Sequence, residues 1–219
     1  MRSSIFAGMC LLLSSCLWGQ NLMLETYGGF NRTNYKDEER SSSQDFLTYG
    51  ARLAGGLPHV QLGAELEKSL TGAEFSLEEG SRREIYRSDY VGAFLRIKLS
   101  SLPAHRFGLV LKAGAGLYDT SVELRFPGNP ALDIQGSYPD KALGYHFGIG
   151  FSSPLYRTIL WSLTYQFNGY KREALSLGNQ ALPAYTANHH SLQLGLSVNL
   201  VFGEARRRAD EWLAPRKKR

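Results

Sequence analysis

Apolar and polar residues alternate along this chain with a period of two, in recurrent runs of about ten residues. The clearest run sets Leu192, Leu194, Leu196, Val198, Leu200 and Phe202 on one parity, with Gln193, Gly195, Ser197 and Asn199 on the other. Val60, Leu62, Ala64 and Leu66 likewise oppose Gln61, Gly63, Glu65 and Glu67. A third run sets Val91, Ala93, Leu95, Ile97 and Leu99 against Gly92, Arg96 and Lys98. Successive side chains of a strand point to opposite faces, so each run predicts a strand with one apolar and one polar face. Eight are predicted, near 22–34, 46–55, 59–68, 89–99, 106–118, 141–152, 157–168 and 189–202. The links between them alternate in length: short at 55–58, 100–105 and 153–156, long and polar at 35–45, 69–88, 119–140 and 169–188.

Glycine placement sharpens the pattern. Gly50, Gly63, Gly92, Gly108, Gly114, Gly116, Gly144, Gly148, Gly150 and Gly195 all fall on the polar parity. In a narrow closed barrel the inward face is crowded, and glycine marks close approach of neighbouring groups. A soluble sandwich has no reason to line its wet face with glycine. Only the first strand is ambiguous, because Gly28 and Gly29 occupy both parities. Even strand number, long loops at one end and short turns at the other are the layout of outer-membrane barrels, whose short turns face the periplasm. The fold class expected is therefore all-β, an eight-stranded antiparallel up-and-down transmembrane β-barrel with both termini periplasmic.

The two ends are set apart from the barrel. Arg2 followed by an apolar stretch from Ile5 to Leu13 and then small or polar residues reads as a signal peptide over 1–20, with cleavage near Gly19 or Gln20. Leu13-Ser14-Ser15-Cys16 offers an alternative, a lipoprotein box with Cys16 lipidated. Cys10 and Cys16 are the two cysteines, so the expected mature barrel, 21–202, carries neither disulfide nor thiolate chemistry. The net charge of +5 comes from Arg2 and a basic tail, 203–219, with seven basic and three acidic residues. What remains is neutral, and nucleic-acid binding, which needs a basic patch on the domain itself, is not expected. In that tail Ala205, Ala209, Trp212 and Leu213 fall near one helical face, which suits a membrane surface, a cell-wall polymer or a periplasmic partner.

Several stretches resemble the small outer-membrane β-barrel proteins of the "porin family" type, with an OmpA/OmpX-like eight-stranded architecture. They are Asp89-Tyr90-Val91 running into 106–118, the strand 144–151, and the closing strand 191–202 with its terminal aromatic, Phe202. That aromatic resembles the signal read by barrel-assembly machinery, although here seventeen residues follow it. The resemblance implies fold and an outer-membrane location, with outer-membrane lipid and lipopolysaccharide as surroundings. It implies no particular activity and no pore.

The interior of an eight-stranded barrel is just wide enough for side chains to fill. The inward set expected here is Glu25, Arg52, Glu65, Arg96, Lys98, Lys112 and His146, joined by Glu67 and Gln166. Counting from strand ends places Arg52, Arg96, Lys98 and Glu25 nearer the short turns and Glu65, Lys112 and His146 near mid-height. Such charges must be paired or hydrated to offset desolvation, which makes them a salt-bridged plug, or the gate of a narrow conduit for water, ions or small solutes. A lipid A or phospholipid-modifying enzyme would need a nucleophile beside a base. The nearest candidates are His189 and Ser191, with Glu173 on the adjoining loop. His189 and His190 are adjacent and face opposite ways, so they cannot share a metal, and no zinc cluster, phosphate loop or dinucleotide fingerprint is present. No cofactor is expected. Loops on a rigid scaffold usually carry binding, so the expectation is a non-enzymatic envelope scaffold or surface-binding protein. In 119–140 the alternation of Val122, Leu124 and Phe126, then Leu132 and Ile134, predicts a hairpin above the membrane.

Overall fold

The structure is a computed structural model describing residues 21–35, 42–43, 45–57, 59–77, 80–99, 108–156, 158–178, 180–182 and 184–201. Residues 1–20, expected to be a signal peptide, with Cys16, the tail 203–219, Phe107, Phe202 and most of the links 35–45 and 100–105 lie outside the described residues. Eight long strands form the wall: β1 (Asn21–Tyr35), β2 (Asp45–Gly56), β3 (Val60–Leu77), β4 (Gly80–Leu99), β5 (Gly108–Arg125), β6 (Ala142–Tyr156), β7 (Ile159–Arg172) and β8 (Tyr185–Val201). Each pairs antiparallel with the next, and β8 pairs with β1 from Asn21↔Val201 to Tyr35↔Ala187, which closes the sheet on itself.

The register fixes the barrel's shape. Stepping across the ladder from Glu25 leads through Arg52, Glu65, Gly92, Gly116, Gly144, Tyr170 and Ala187 back to β1 at Tyr35, a stagger of ten residues. Closure with that shear demands strongly tilted strands, about 35–45° from the axis.

The outer face carries an apolar band. Leu62 and Leu66 on β3, Val91 and Leu95 on β4, Leu143 and Phe147 on β6, and Leu192 and Leu194 on β8 are exposed, each on the parity predicted to be apolar. Along β4 the band runs from Val91 to Leu99, about 27 Å of strand and roughly 20 Å along the axis at that tilt. Towards the long loops it stops at a cross-strand row of charges: Lys68, Asp89, Asp119 and Lys141 are all more than half exposed. Among the aromatics on this face, Tyr145, Tyr165 and Phe151 are exposed and Phe167 is half-buried.

Three strands run furthest past the ends that their alternation predicted. β3 continues past 68 to Leu77, β4 begins at Gly80 instead of 89, and β5 runs on from 118 to Arg125, where Ser121–Leu124 pair with a short strand, Ile134–Ser137. The link 69–88 is therefore a hairpin of the wall, not an irregular loop. A second small hairpin, Leu175–Leu177 with Gln180–Leu182, turns through Gly178, whose φ of +56° lies in the left-handed region that glycine adopts at no steric cost.

Candidate functional site: the lumen and its mouth

Inward side chains divide the lumen into a charged middle and an aromatic mouth. At the centre Glu65, fully buried, accepts from Arg52 Nε at 2.7 Å, from Lys112 Nζ at 2.9 and 3.1 Å, and from the Tyr27 hydroxyl at 2.8 Å. Nε2 of His146 stands 3.4 Å from its second oxygen, while His146 Nδ1 lies 3.1 Å from the Tyr90 hydroxyl. Arg52 also donates to Glu25 at 3.2 Å and contacts Gln193, and its guanidinium lies 3.7 Å from the centre of the Tyr27 ring. Glu25 takes a further bond from Ser162 at 2.5 Å. Glu67 is held by Tyr27 at 2.9 Å, Gln193 at 3.1 Å, and Gln166 and Asn168 at 3.4 Å each. Glu25 and Glu65 thus meet the cations Arg52 and Lys112, which offsets the cost of removing them from water, whereas Glu67 is held by neutral donors.

Six of the seven residues singled out in the sequence are buried inside the lumen: Glu25, Arg52, Glu65, Arg96, Lys112 and His146. Their heights differ from the expectation. Glu25, Arg52 and Glu65 are consecutive partners across β1, β2 and β3, so Arg52 and Glu25 join the central cluster instead of lying below it. Counting from strand ends ignores the stagger, which tilts one level row across different positions in successive strands. Arg96 does lie nearer the short turns, bonded to Gln61 at 3.4 Å and against Met23, beside the apolar group Met23, Ala54 and Phe94. Lys98 is half-buried beside Gly108, one pleat further toward the turns.

The mouth was not foreseen. Tyr86, Tyr90, Tyr118, Tyr138, Tyr170 and Tyr185 pack with Val122, Leu124, Leu182 and Ala187 into one buried cluster, with Leu175 and Leu177 of the small hairpin against it. Tyr118 stacks on Tyr170 with ring centres 4.3 Å apart. Buried Arg172 ties the cluster to the wall through the Tyr118 carbonyl at 2.7 Å and the Asp140 carbonyl at 2.6 Å. Buried Glu84 pairs with Arg82 at 3.0 Å and accepts from Tyr86 at 2.5 Å. The sequence does contain the signal, a switch of parity. On β5 the apolar residues, Val110 apart, face outward up to Leu117, and from Tyr118 through Val122 and Leu124 they face inward.

The residues considered for catalysis are not brought together. His189 is buried with its Nδ1 2.6 Å from Thr33 Oγ1 and its ring stacked on Tyr170, whereas Ser191 bonds Gln193 at 3.0 Å and Glu173 is exposed. His190 points outward to Tyr165 at 2.6 Å, so the two histidines do face opposite ways. Among the described residues no group of three or more His, Cys, Asp or Glu is placed to hold a metal ion.

No protein-family model matches the chain, and no curated protein matches it. Solved structures do. The crystal structure of the outer membrane protein OprG from Pseudomonas aeruginosa aligns with a TM-score of 0.57 at 9% identity, over 84% of this chain and 97% of that one. Neisserial surface protein A gives 0.49 at 10% identity over 81% and 96%. The outer membrane protease OmpT from Escherichia coli gives 0.45 at 11% over 84% and 97%. At such identities the likeness concerns fold alone. With the closed wall and its apolar band, it makes this chain an eight-stranded barrel of the outer-membrane type.

Proposed function

We propose that the chain spans a bacterial outer membrane with its short turns and both barrel ends on the periplasmic side. There it acts without catalysis, as an envelope scaffold or surface-binding protein working through the strands that project beyond the bilayer. One observation carries this reading. The wall of β3, β4 and β5 continues as a sheet past the charged row at Lys68 and Asp119, extended by Ile134–Ser137, while the lumen beneath it is filled. A rigid platform raised above a membrane suits binding. A lumen closed by the Glu65 cluster and by tyrosines offers no continuous path to a solute.

Two measurements test it. Photo-crosslinkers placed at Arg87 and Arg125, exposed on the projecting sheet, should give discrete adducts in intact outer membranes that a crosslinker at lipid-facing Leu163 does not give. Planar-bilayer recordings of the full chain should stay silent for wild type and for Glu65→Ala alike. Steady wild-type conductance, abolished or altered in Glu65→Ala, would replace the scaffold by the conduit.

A further inference from the structure

We infer that a gap in the wall between β6 and β7, at the mouth, takes the free C-terminus of an extracellular polypeptide, with its carboxylate opposed to Arg172. The inference rests on the surface-binding reading above and names the chemistry of the partner.

Pro139, just before β6, has no N–H to give to a ladder, so the sheet cannot continue through it. The register of β6 with β7 ends at Gly144↔Tyr170, although β6 begins at Ala142 and β7 continues to Arg172. Above that pair the chains part. Ala142 stays with Tyr118 of β5, and the Tyr138 N–H donates to the Thr120 carbonyl at 3.0 Å. On the other side Arg172 pairs with Tyr185 of β8. Between them lies a cavity of about 370 Å³, at the lower end of the range of small-molecule sites, with Tyr138, Pro139, Ala142 and Ala174 as its apolar lining. The Gly144↔Tyr170 pair closes it below and the tyrosine cluster closes it within. A chain entering from outside therefore ends there instead of running through.

Arg172, which lines the cavity and is 4% exposed, says what enters. It donates to the carbonyls of Asp140 at 2.6 Å and Tyr118 at 2.7 Å and to Thr120 Oγ1 at 2.5 Å, all neutral acceptors. Its Nε is buried without an acceptor. The Tyr138 ring centre, 5.1 Å from the guanidinium carbon, gives a cation–π contact. Among the described residues no carboxylate pairs with Arg172, whereas Arg52 and Lys112 in the lumen each meet one. A buried cation is costly until an anion faces it. The rim narrows the choice of anion. Lys141 is taken by Asp119 at 3.6 Å, and Asp140 and Glu173 stand exposed beside the opening. A polyanion meets both rim acids, while a single carboxylate set against Arg172 meets neither so closely. The parted edges of β6 and β7 also carry N–H and C=O groups that the two strands no longer exchange, and a peptide end brings their complement. One carboxylate, a stretch of backbone and an apolar last side chain on Tyr138 and Ala174 describe a chain terminus.

The full chain in phosphatidylcholine nanodiscs tests this by fluorescence polarisation with the fluorescein-labelled hexapeptide Gly-Ser-Gly-Ser-Gly-Phe. The free acid should bind about tenfold tighter than its C-terminal amide, the margin of one charge-assisted contact. Arg172→Gln should erase that margin. Ala174→Trp, which fills the cavity and leaves Arg172 in place, should weaken the free acid by a similar factor. Ala174 is exposed, so this variant keeps its fold even where Arg172→Gln does not. Folding of each variant is read independently from heat-modifiable electrophoretic mobility. Equal binding of acid and amide, or a folded variant that binds the free acid as wild type does, would overturn the site. Adducts at Arg87 and Arg125 together with equal binding of acid and amide would sink this inference and leave the surface-binding reading standing.

Discussion

A carboxylate withdrawn from water keeps its charge only where cations and donors replace the lost hydration, and Glu65 has Arg52, Lys112 and Tyr27 in that role. Removing it strands Lys112 and leaves Arg52 with Glu25 as its carboxylate partner. Glu65→Ala should therefore cost about 3–5 kcal/mol in equilibrium unfolding from lipid vesicles. Lys68→Ala breaks an exposed pair and should cost at most about 1 kcal/mol. Similar losses for the two would show that the lumen cluster is hydrated and not a buried network. Gly116 sets a second residue-level limit. A Cβ there would meet the Val91 carbonyl oxygen and Gly92 Cα, both backbone atoms that cannot step aside. Gly116→Leu should abolish the heat-modifiable folded form, while Ala115→Leu, one residue earlier and exposed, should keep it. Most inward residues were legible, because alternation assigns a face wherever the outside is apolar. Tyr27 was harder, lying on a strand whose two glycines blurred its parity, and yet it bridges Glu65 and Glu67.

At the scale of the element, the eight strands were legible within the bilayer and illegible above it. Beyond Lys68, Asp89 and Asp119 the outer face meets water and turns polar, so the alternation used to find strands inverts instead of ending. That is why β3, β4 and β5 were cut short and why the tyrosine mouth passed as loop. The projecting part of β4 and β5 is fastened outside by Glu123, which accepts from Arg125 at 2.7 Å and Arg87 at 3.2 Å. The Arg125 hydrogen bond, aided by Arg87, holds the Glu123 carboxyl below its ordinary value and raises Arg125 in turn. With a folded value lower than the unfolded one, the pairing contributes fully above the ordinary carboxylate range, about pH 4, and is lost as pH falls through the lowered value. Amide exchange at 83–87 and 121–125, corrected for intrinsic rates, should accelerate on acidification through that window. The change should correspond to less than about 1 kcal/mol for so exposed a cluster. Glu123→Gln should remove the pH dependence, and a variant that retains it would assign the effect to another acid.

On the scale of the whole molecule, filled lumen, charged row and raised sheet divide the barrel into a membrane-spanning part and a part that projects beyond it. The seam between β1 and β8 governs how that object can come into being. Asn21 and Val201 are partners although 180 residues separate them in the chain. Contacts of such long range repay their loop-closure entropy only when everything between them is in place. Until β8 arrives, a nascent curl exposes two raw backbone edges, at β1 and β7, in surroundings where unpaired amides recruit any strand at hand. Closure of this barrel is therefore an all-or-none affair: a polypeptide stopped after residue 172 should yield protease-sensitive aggregate rather than a seven-stranded remnant. Closure at that seam is what hides both edges, and it waits for the last strand.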